Sequence, residues 1–282
     1  MAARPVLVLC EGPHDIAFLT RLLTATAGAD LVDLPVSKLP EPFGKFFLSR
    51  LEARSANRAK LGGSGPVAPD EPPLLDAVCE MPDKSRLWYF MNCCGDSRAN
   101  QINTFLKPII ALAQVSDPSI RLNEVGIVFV NDADNKGIEG RHKLITQNHA
   151  PMLAPLLPDF DTATANIPYR KEGYGASTCV FTAPDSNEGA LEDVVWALWA
   201  EAHLDRRDRS RALMDLLAVE GTRIGPGSTP CKILKATLTA AGQTECPGYS
   251  LAVVLRDTNA IDVDAMKGDV SCNAFLKVLM EV

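Results

Sequence analysis

Three acidic residues stand directly after two apolar segments of the chain. Asp132 and Asp134 follow residues 125–130, and Glu11 follows residues 5–10. Carboxylate oxygens are the ligands that Mg²⁺ prefers, and Mg²⁺ needs one or two of them besides water and substrate phosphate. Without a cation, crowded carboxylates repel each other, which raises the pKa of at least one. The pattern therefore predicts a divalent-cation site at Glu11, Asp132 and Asp134, with Glu11 also suited to act as a general base or acid.

Both apolar segments are predicted to be buried β-strands, because they are short, rich in β-branched or aliphatic residues and followed by turn residues. Ligands of open α/β sheets bind outside the carboxyl ends of the strands. We therefore expect the ends of these two strands to lie side by side. The alternative interpretation is that Asp132 and Asp134 only form an Asx turn, since Asp and Asn favour such loops.

The rest of the chain alternates between strand and helix patterns. Further strands are predicted at residues 87–91 and 176–181, and helices at 13–28, 46–59, 99–113, 137–149 and 190–203. Four more helices are predicted at 206–219, 230–241, 248–257 and 272–281. This alternation predicts an α/β fold, with a mostly parallel central sheet and helices on both faces. We expect an α/β domain at 1–205, with a Gly/Pro-rich insertion at about 35–85, and a helical cap or subdomain at 206–282.

Composition limits the class of protein. The chain has 282 residues, 46% of them hydrophobic, and a formal net charge of −7, whereas a general nucleic-acid binder is usually basic. Its eight cysteines form no C-x-x-C pair, which argues against a zinc ribbon and favours a reducing, cytoplasmic location. The first ten residues match neither a signal peptide nor a membrane span. We therefore predict no membrane partner, and an oligomer is not predicted.

Two groups of arginines are candidates for contact with phosphate. Arg50, Arg54 and Arg58 recur at helical spacing in the predicted helix at 46–59, and a second group, Arg206, Arg207 and Arg209, opens the C-terminal segment. A basic stripe on a helix is more often a solvated face than a nucleic-acid interface. DNA or RNA therefore stays a possible partner, with the arginines as the feature to check.

Four short motifs occur in a fixed order along the chain. They are Glu11-Gly12-x-x-Asp15, Gly95-Asp96, Asp132-x-Asp134 and Gly189-x-x-Glu192-Asp193. Together they resemble the Toprim domain, which is shared by topoisomerases, bacterial primases, small ribonucleases and the overcoming-lysogenization-defect nucleases. The closest likeness is to uncharacterised stand-alone Toprim-like proteins, and it covers about residues 5–200.

The resemblance implies a Toprim-like, Rossmann-like sheet and a role for each motif. Glu11 would be the catalytic acid or base, and Asp132 and Asp134 would hold Mg²⁺ or Mn²⁺, with Glu192 as a further acidic ligand. A lysine assists in nuclease relatives, and Lys232 is the candidate here. The residues predicted to contact the substrate are Gly12, Asp15, Gly95 and Arg98.

Several other activities are not supported. The chain has no G-x-x-x-x-G-K-[ST] loop for nucleotide phosphates and no G-x-S-x-G nucleophile motif. The segment from Asp132 begins like an EF-hand loop, but Lys143 stands where the final glutamate belongs. The sequence thus predicts Mg²⁺-dependent phosphodiester cleavage or transfer on nucleic acid. The alternative is a non-catalytic Toprim-like module that binds a metal, nucleotide or protein partner.

Overall fold

A computed structural model describes residues 3–61, 73–95, 98–219, 230–245 and 247–282. These residues form one seven-stranded sheet with helices on both faces. Its strands are β1 Arg4–Cys10, β2 Asp30–Leu31, β3 Leu74–Glu80, β4 Arg86–Asn92, β5 Val125–Asp132, β6 Tyr169–Lys171 and β7 Tyr174–Phe181.

Ten α-helices surround the sheet in the part of the chain that the structure describes. The first four are α1 Pro13–Leu22, α2 Phe43–Leu61, α3 Ala99–Ala113 and α4 Gly137–Leu153. The others are α5 Leu191–Ala197, α6 Leu204–Val219, α7 Pro230–Glu245, α8 Leu251–Asp257, α9 Val263–Gly268 and α10 Val270–Glu281.

The strand order β2-β3-β4-β1-β5-β7-β6 contains a reversal beside β1. The chain runs from β1 to β4 on one side, and then crosses back past β1 to β5 and β7 on the other. All three pairs among β4, β1, β5 and β7 are parallel, whereas β2, β3 and β6 add antiparallel pairs at the edges. The point between β1 and β5 is therefore a topological switch point, where the carboxyl ends of two parallel strands leave a crevice open to a ligand.

Two apolar cores cover the two faces of the sheet. Side chains of β1 alternate between them, because successive residues of a strand point to opposite faces. Val6, Val8 and Cys10 belong to the core that contains α1, α5, α7, α8 and α10, which we call the first face. Leu7 and Leu9 belong to the core with α2, α3 and α4, which we call the second face. The C-terminal helices α7, α8 and α10 thus share a core with the strands.

The predicted α/β class and its mostly parallel sheet are confirmed. The four predicted strands correspond to β1, β4, β5 and β7, and the helices at 99–113 and 206–219 correspond to α3 and α6. The region from 35 to 85, predicted as an insertion, contributes α2 and strand β3 to the fold, and its residues 62–72 lie outside the described part. The helix predicted at 190–203 ends at Ala197 and is followed by a 3-10 turn, Glu201–His203.

None of the helices in the described part of the chain has both the length and the apolar composition that crossing a bilayer requires.

Candidate functional site

The predicted acidic residues gather at the switch point. In the pairing of β1 with β5, Cys10 lies opposite Val130, so the residues that follow each strand emerge next to each other. The loop after β4 joins them, because the backbone N–H of Gly95 donates to the carbonyl oxygen of Glu11 at 2.8 Å. Gly95 has a φ of +114°, a left-handed conformation that favours glycine. The motifs after β1, β4 and β5 therefore meet at one edge of the sheet.

Strand alternation divides these residues between the two faces. Cys10 and Val130 point to the first face. The next residue of each strand, Glu11 or Asn131, therefore emerges on the second face, and Asp132 returns to the first. A hydrogen bond of 2.6 Å from Asn131 Nδ2 to Glu11 Oε1 agrees with this assignment. The predicted site is thus two adjoining half-sites.

Arg141 of α4 connects two of the predicted metal ligands in the half-site on the second face. Its Nη2 donates to Asp134 Oδ2 at 2.5 Å, and its Nη1 lies 3.8 Å from Glu11 Oε1. The Arg141 side chain is 1% exposed, whereas Asp134 is 43% exposed. A narrow groove between α3 and α4 opens beside this arginine and is lined by Glu11, Gly95, Asn131, Arg141, Asn148 and His149 among others. Glu11 and Asp134 are therefore held together by a cation of the protein itself.

The backbone around Asp134 is fixed by a two-way contact with the loop before α5. The backbone N–H of Asp134 donates to the carbonyl oxygen of Gly189 at 2.7 Å, and the N–H of Gly189 donates to the carbonyl oxygen of Asp134 at 3.1 Å. Asp134 itself has a φ of +50° and Gly189 a φ of +121°. A Cβ added at Gly189 would lie 2.4 Å from the backbone nitrogen of Ala183. Glycine is thus required here, and it lets the two loops approach closely enough to place the Asp134 carboxylate.

The half-site on the first face contains three carboxylates on different elements. Asp132 Oδ1 accepts the backbone N–H of Leu191, in the first turn of α5, at 2.8 Å. Asp15 Oδ2, in the first turn of α1, accepts the backbone N–H of Gly12 at 2.9 Å. Glu192 follows Leu191 and is 4% exposed. Two helix N-termini therefore bring Asp15 and Glu192 to the carboxylate that ends β5.

These carboxylates raise one another's pKa. Burial raises the pKa of Asp132 to about 9, and Asp15, Glu11 and Glu192 add repulsion in the same direction. Burial likewise raises the pKa of Asp15 to about 7, against its hydrogen bond from Gly12, with repulsion from Glu11 and Glu192. The two half-sites are therefore close enough to interact electrostatically. In the absence of a cation the group holds protons at neutral pH that isolated carboxylates would have lost.

Lys235 is a functional candidate that the sequence analysis missed. Its Nζ lies 3.1 Å from Glu192 Oε1, and His14 Nδ1 lies 3.9 Å from the same oxygen. Burial lowers the pKa of Lys235, but attraction to Glu192, Asp15 and Asp132 outweighs it, so the net shift is upward. The predicted lysine, Lys232, is exposed one turn earlier on α7. The structure thus brings Lys235 to the acidic residues.

Replacing Lys235 with Met is expected to destabilise the protein by about 1–3 kcal/mol. The buried carboxylate of Glu192 would lose a cation that lies 3.1 Å from it, and the cost is reduced from that of a fully buried pair because the Lys235 side chain is 51% exposed. The measurement is the free energy of unfolding in urea. Lys232→Met is the matched control, since it removes an exposed lysine from the same helix. An equal loss of stability in both variants would contradict the role given to Lys235.

The other predicted substrate contacts have structural places at the same edge. Gly12 precedes α1 in an extended conformation, and the space where a Cβ would stand is open. Arg98 directly precedes α3, where its side chain forms no capping hydrogen bond, and it is 8% exposed. Asp96, which is part of the second motif, lies outside the described residues. The motifs thus place Gly12 and Gly95 in loops at the switch point and Arg98 at the start of α3.

Several of the predicted basic residues have intramolecular partners. The Arg50 guanidinium lies 4.5 Å from the ring centre of Phe46, and that of Arg207 lies 4.1 Å from the ring centre of Trp196. Arg209 forms an ion pair with Asp205 on the same helix. The side chains of Arg54 and Arg58 are outside the described part. The ion pair offsets the charge of Arg209, whereas the ring contacts hold the guanidinium groups of Arg50 and Arg207 against aromatic side chains without removing their charge.

The donor set fits a hard divalent cation. In the described ranges no three His, Cys, Asp or Glu side chains are arranged so that they would already hold a metal ion. Mg²⁺, however, takes one or two carboxylates and keeps waters. Around the switch point two of the carboxyl groups have raised pKa values, in part because neighbouring carboxylates repel them. A cation of charge +2 would relieve this repulsion. The carboxylates present are Glu11, Asp15, Asp132, Asp134 and Glu192.

The comparisons with known proteins concern the fold. No protein-family model matches the chain, and no curated protein matches it. The chain is similar to the crystal structure of a hypothetical protein from Pyrococcus horikoshii OT3, with a TM-score of 0.51 and 17% sequence identity. The match covers 99% of this chain and 95% of that one. At this identity the likeness shows that the two chains share a fold over nearly their whole length.

Proposed function

We propose that the chain is a Toprim-like enzyme that cleaves or transfers phosphodiester bonds in nucleic acid with Mg²⁺ or Mn²⁺. The observation that carries the proposal is the gathering of five carboxylates at the switch point, where burial and mutual repulsion raise the pKa of Asp132 to about 9. Carboxyl groups with strongly raised pKa values in a crevice at the strand ends are typical of functional sites.

The residues of the two half-sites have complementary chemical roles in this proposal. A bound divalent cation would polarise a phosphoryl oxygen and lower the pKa of bound water. Asp132, Asp134 and Glu11 would hold it, with Glu192 as a further acidic ligand. The Glu11 carboxylate, which Asn131 orients, would also take the proton of the attacking hydroxyl or water. Lys235 would offset the charge of Glu192.

Nucleic acid is the proposed substrate class because the ordered motifs resemble those of Toprim nucleases and topoisomerases. The alternative, a non-catalytic module, is favoured by the net charge of −7 and by the ion pairs that Arg207 and Arg209 form with Asp208 and Asp205. In an enzyme of this charge the metal ion must supply much of the attraction to phosphate. The two functions therefore differ in whether added metal leads to bond cleavage or to binding alone.

Incubation of the full chain with end-labelled single- and double-stranded DNA and RNA distinguishes the two. We expect cleavage with Mg²⁺ or Mn²⁺ and none with EDTA, measured as product length and the chemistry of the new ends. Cleavage that persists in EDTA would contradict a metal-dependent site. The absence of cleavage of every substrate with both metals would favour the non-catalytic module.

A further inference from the structure

Arg141 is the least exposed charged side chain among the described residues, at 1%. Moving a guanidinium out of water costs several kcal/mol unless carboxylates or other acceptors compensate for it. Here the compensation includes Asp134 Oδ2 at 2.5 Å and Glu11 Oε1 at 3.8 Å. The buried guanidinium of Arg141 thus lies between the carboxylates of Glu11 and Asp134, on the second face of the sheet.

The oxygens that hold Arg141 belong to two of the carboxylates that are assigned to the divalent cation. Glu11 Oε1 is already oriented by Asn131, and the backbone of Asp134 is fixed by its contact with Gly189. The carboxylates are therefore in place before a metal binds. A metal at these oxygens would meet a positive charge within ion-pair distance, and the same lone pairs cannot serve both cations equally well.

We propose that Arg141 is a built-in competitor for the divalent cation. Its guanidinium offsets part of the negative charge of Glu11 and Asp134 in the metal-free chain, and it withdraws from Asp134 when the metal binds. This inference rests on the proposed function, because it uses the metal site named there. It adds a positioning residue that sets metal affinity.

The competitor role and a merely supporting role predict opposite changes in metal affinity. If Arg141 only supports the site, removing it disorders Glu11 and Asp134 and weakens metal binding. If it competes, removing its charge makes both carboxylates better ligands. Removing a positive charge at ion-pair distance removes its repulsion of the bound cation, and we expect a change in metal affinity of about tenfold.

Titration of Mn²⁺ into the full chain, followed by calorimetry and by the electron paramagnetic resonance of free Mn²⁺, measures the effect. Arg141→Gln is expected to bind Mn²⁺ about tenfold more tightly than the wild type. Arg211→Gln is the matched control, since it removes an arginine that pairs with Asp215 on the exposed side of α6. It is expected to leave the affinity unchanged.

Arg141→Lys keeps the experiment decisive if the glutamine variant does not fold. Lysine retains the buried charge, but its compact ammonium group cannot reproduce the forked contact with both carboxylates. We expect tighter Mn²⁺ binding by a smaller factor. Wild-type binding with no gain in either variant that folds would overturn the inference and leave the proposed function intact. If neither the wild type nor the variants bind Mn²⁺, both the inference and the proposed function are overturned. Binding by the variants alone would support the role of Arg141 as a competitor.

Discussion

Asp132→Asn is expected to stabilise the metal-free chain and, at the same time, to reduce metal-dependent cleavage at least about a hundredfold. The stability gain is up to about 4 kcal/mol at neutral pH, because folding no longer has to protonate a buried carboxyl group whose pKa rises from 3.8 to about 9. The loss of activity follows from the loss of a charged metal ligand, and a few kcal/mol of lost transition-state stabilisation corresponds to this factor.

The local structure is expected to survive this substitution. Asp132 Oδ1 accepts the N–H of Leu191 at 2.8 Å, and the amide oxygen of asparagine can accept the same hydrogen bond. Thermal unfolding in EDTA and the cleavage rate with Mg²⁺ measure the two effects. Asp161→Asn, an exposed aspartate in the 3-10 turn Phe160–Thr162, is the control and should change neither. A variant that loses stability, or that cleaves as fast as the wild type, would reject the assignment of Asp132.

The central strands could be predicted because burial on both faces leaves a simple sequence signal. β1, β4, β5 and β7 are short apolar runs, which is how a strand covered by helices on both sides is encoded. The edge strands lack this signal. β2 and β6 have two and three residues, which is too few to show an alternation of apolar and polar residues. β3 follows two prolines, and Asp76 and its neighbours in this strand are exposed or only partly buried. Their pairing depends on neighbouring strands that are distant in sequence.

The acidic motifs could be located from the sequence, but their division between two faces could not. A strand places alternate residues on opposite sides, so a shift of one residue in the pairing of β1 with β5 would exchange the faces. Only the observed register, with Cys10 opposite Val130, puts Glu11 beside Asn131 and turns Asp132 toward Asp15. The order of motifs thus predicts which residues gather, and the register decides which of them touch.

The two basic residues of the site were missed for a related reason. Arg141 follows Asp134 by seven residues, on a helix that begins at Gly137, and such a spacing is common to any helix after a loop. Lys235 meets Glu192 through the packing of α7 near α5, and no local pattern distinguishes it from Lys232. Basic residues that pair with a cluster of carboxylates can come from any element that packs nearby. The sequence therefore indicates that such residues are required, but only the tertiary structure shows which ones they are.

Between about pH 7 and pH 8.5 the metal-free chain is expected to lose stability, and Mg²⁺ is expected to remove most of that loss. The folded-state pKa values of Asp132, about 9, and Asp15, about 7, lie above the unfolded value of 3.8. The folded chain therefore holds protons that the unfolded chain has released, and stability falls as pH rises through the folded pKa values. The slope reaches about 1.4 kcal/mol per pH unit for each proton held.

The pH window isolates the carboxylates from other groups. His14 and His149 have lowered pKa values, so their titration raises stability as the pH rises, opposite to the carboxyl groups. They lose their protons below about pH 6.5, which is outside the window. Lys235 has a raised pKa and keeps its proton throughout. Buried cysteines such as Cys10 have raised pKa values and affect stability in the same direction as Asp132, but only as pH approaches 9 and above.

Urea unfolding at several pH values, with EDTA or with saturating Mg²⁺, gives the two slopes. Bound Mg²⁺ favours the ionised carboxylates, so the folded chain releases the protons that it holds without the metal. The dependence of stability on pH then becomes flatter. Asp132→Asn should flatten the slope in EDTA to a similar extent, and Mg²⁺ should then add little. The contradicting result would be a wild-type slope of stability against pH that neither Mg²⁺ nor this substitution changes. It would mean that other groups of the chain already balance the carboxylates at the switch point, which would leave no electrostatic reason for a metal there.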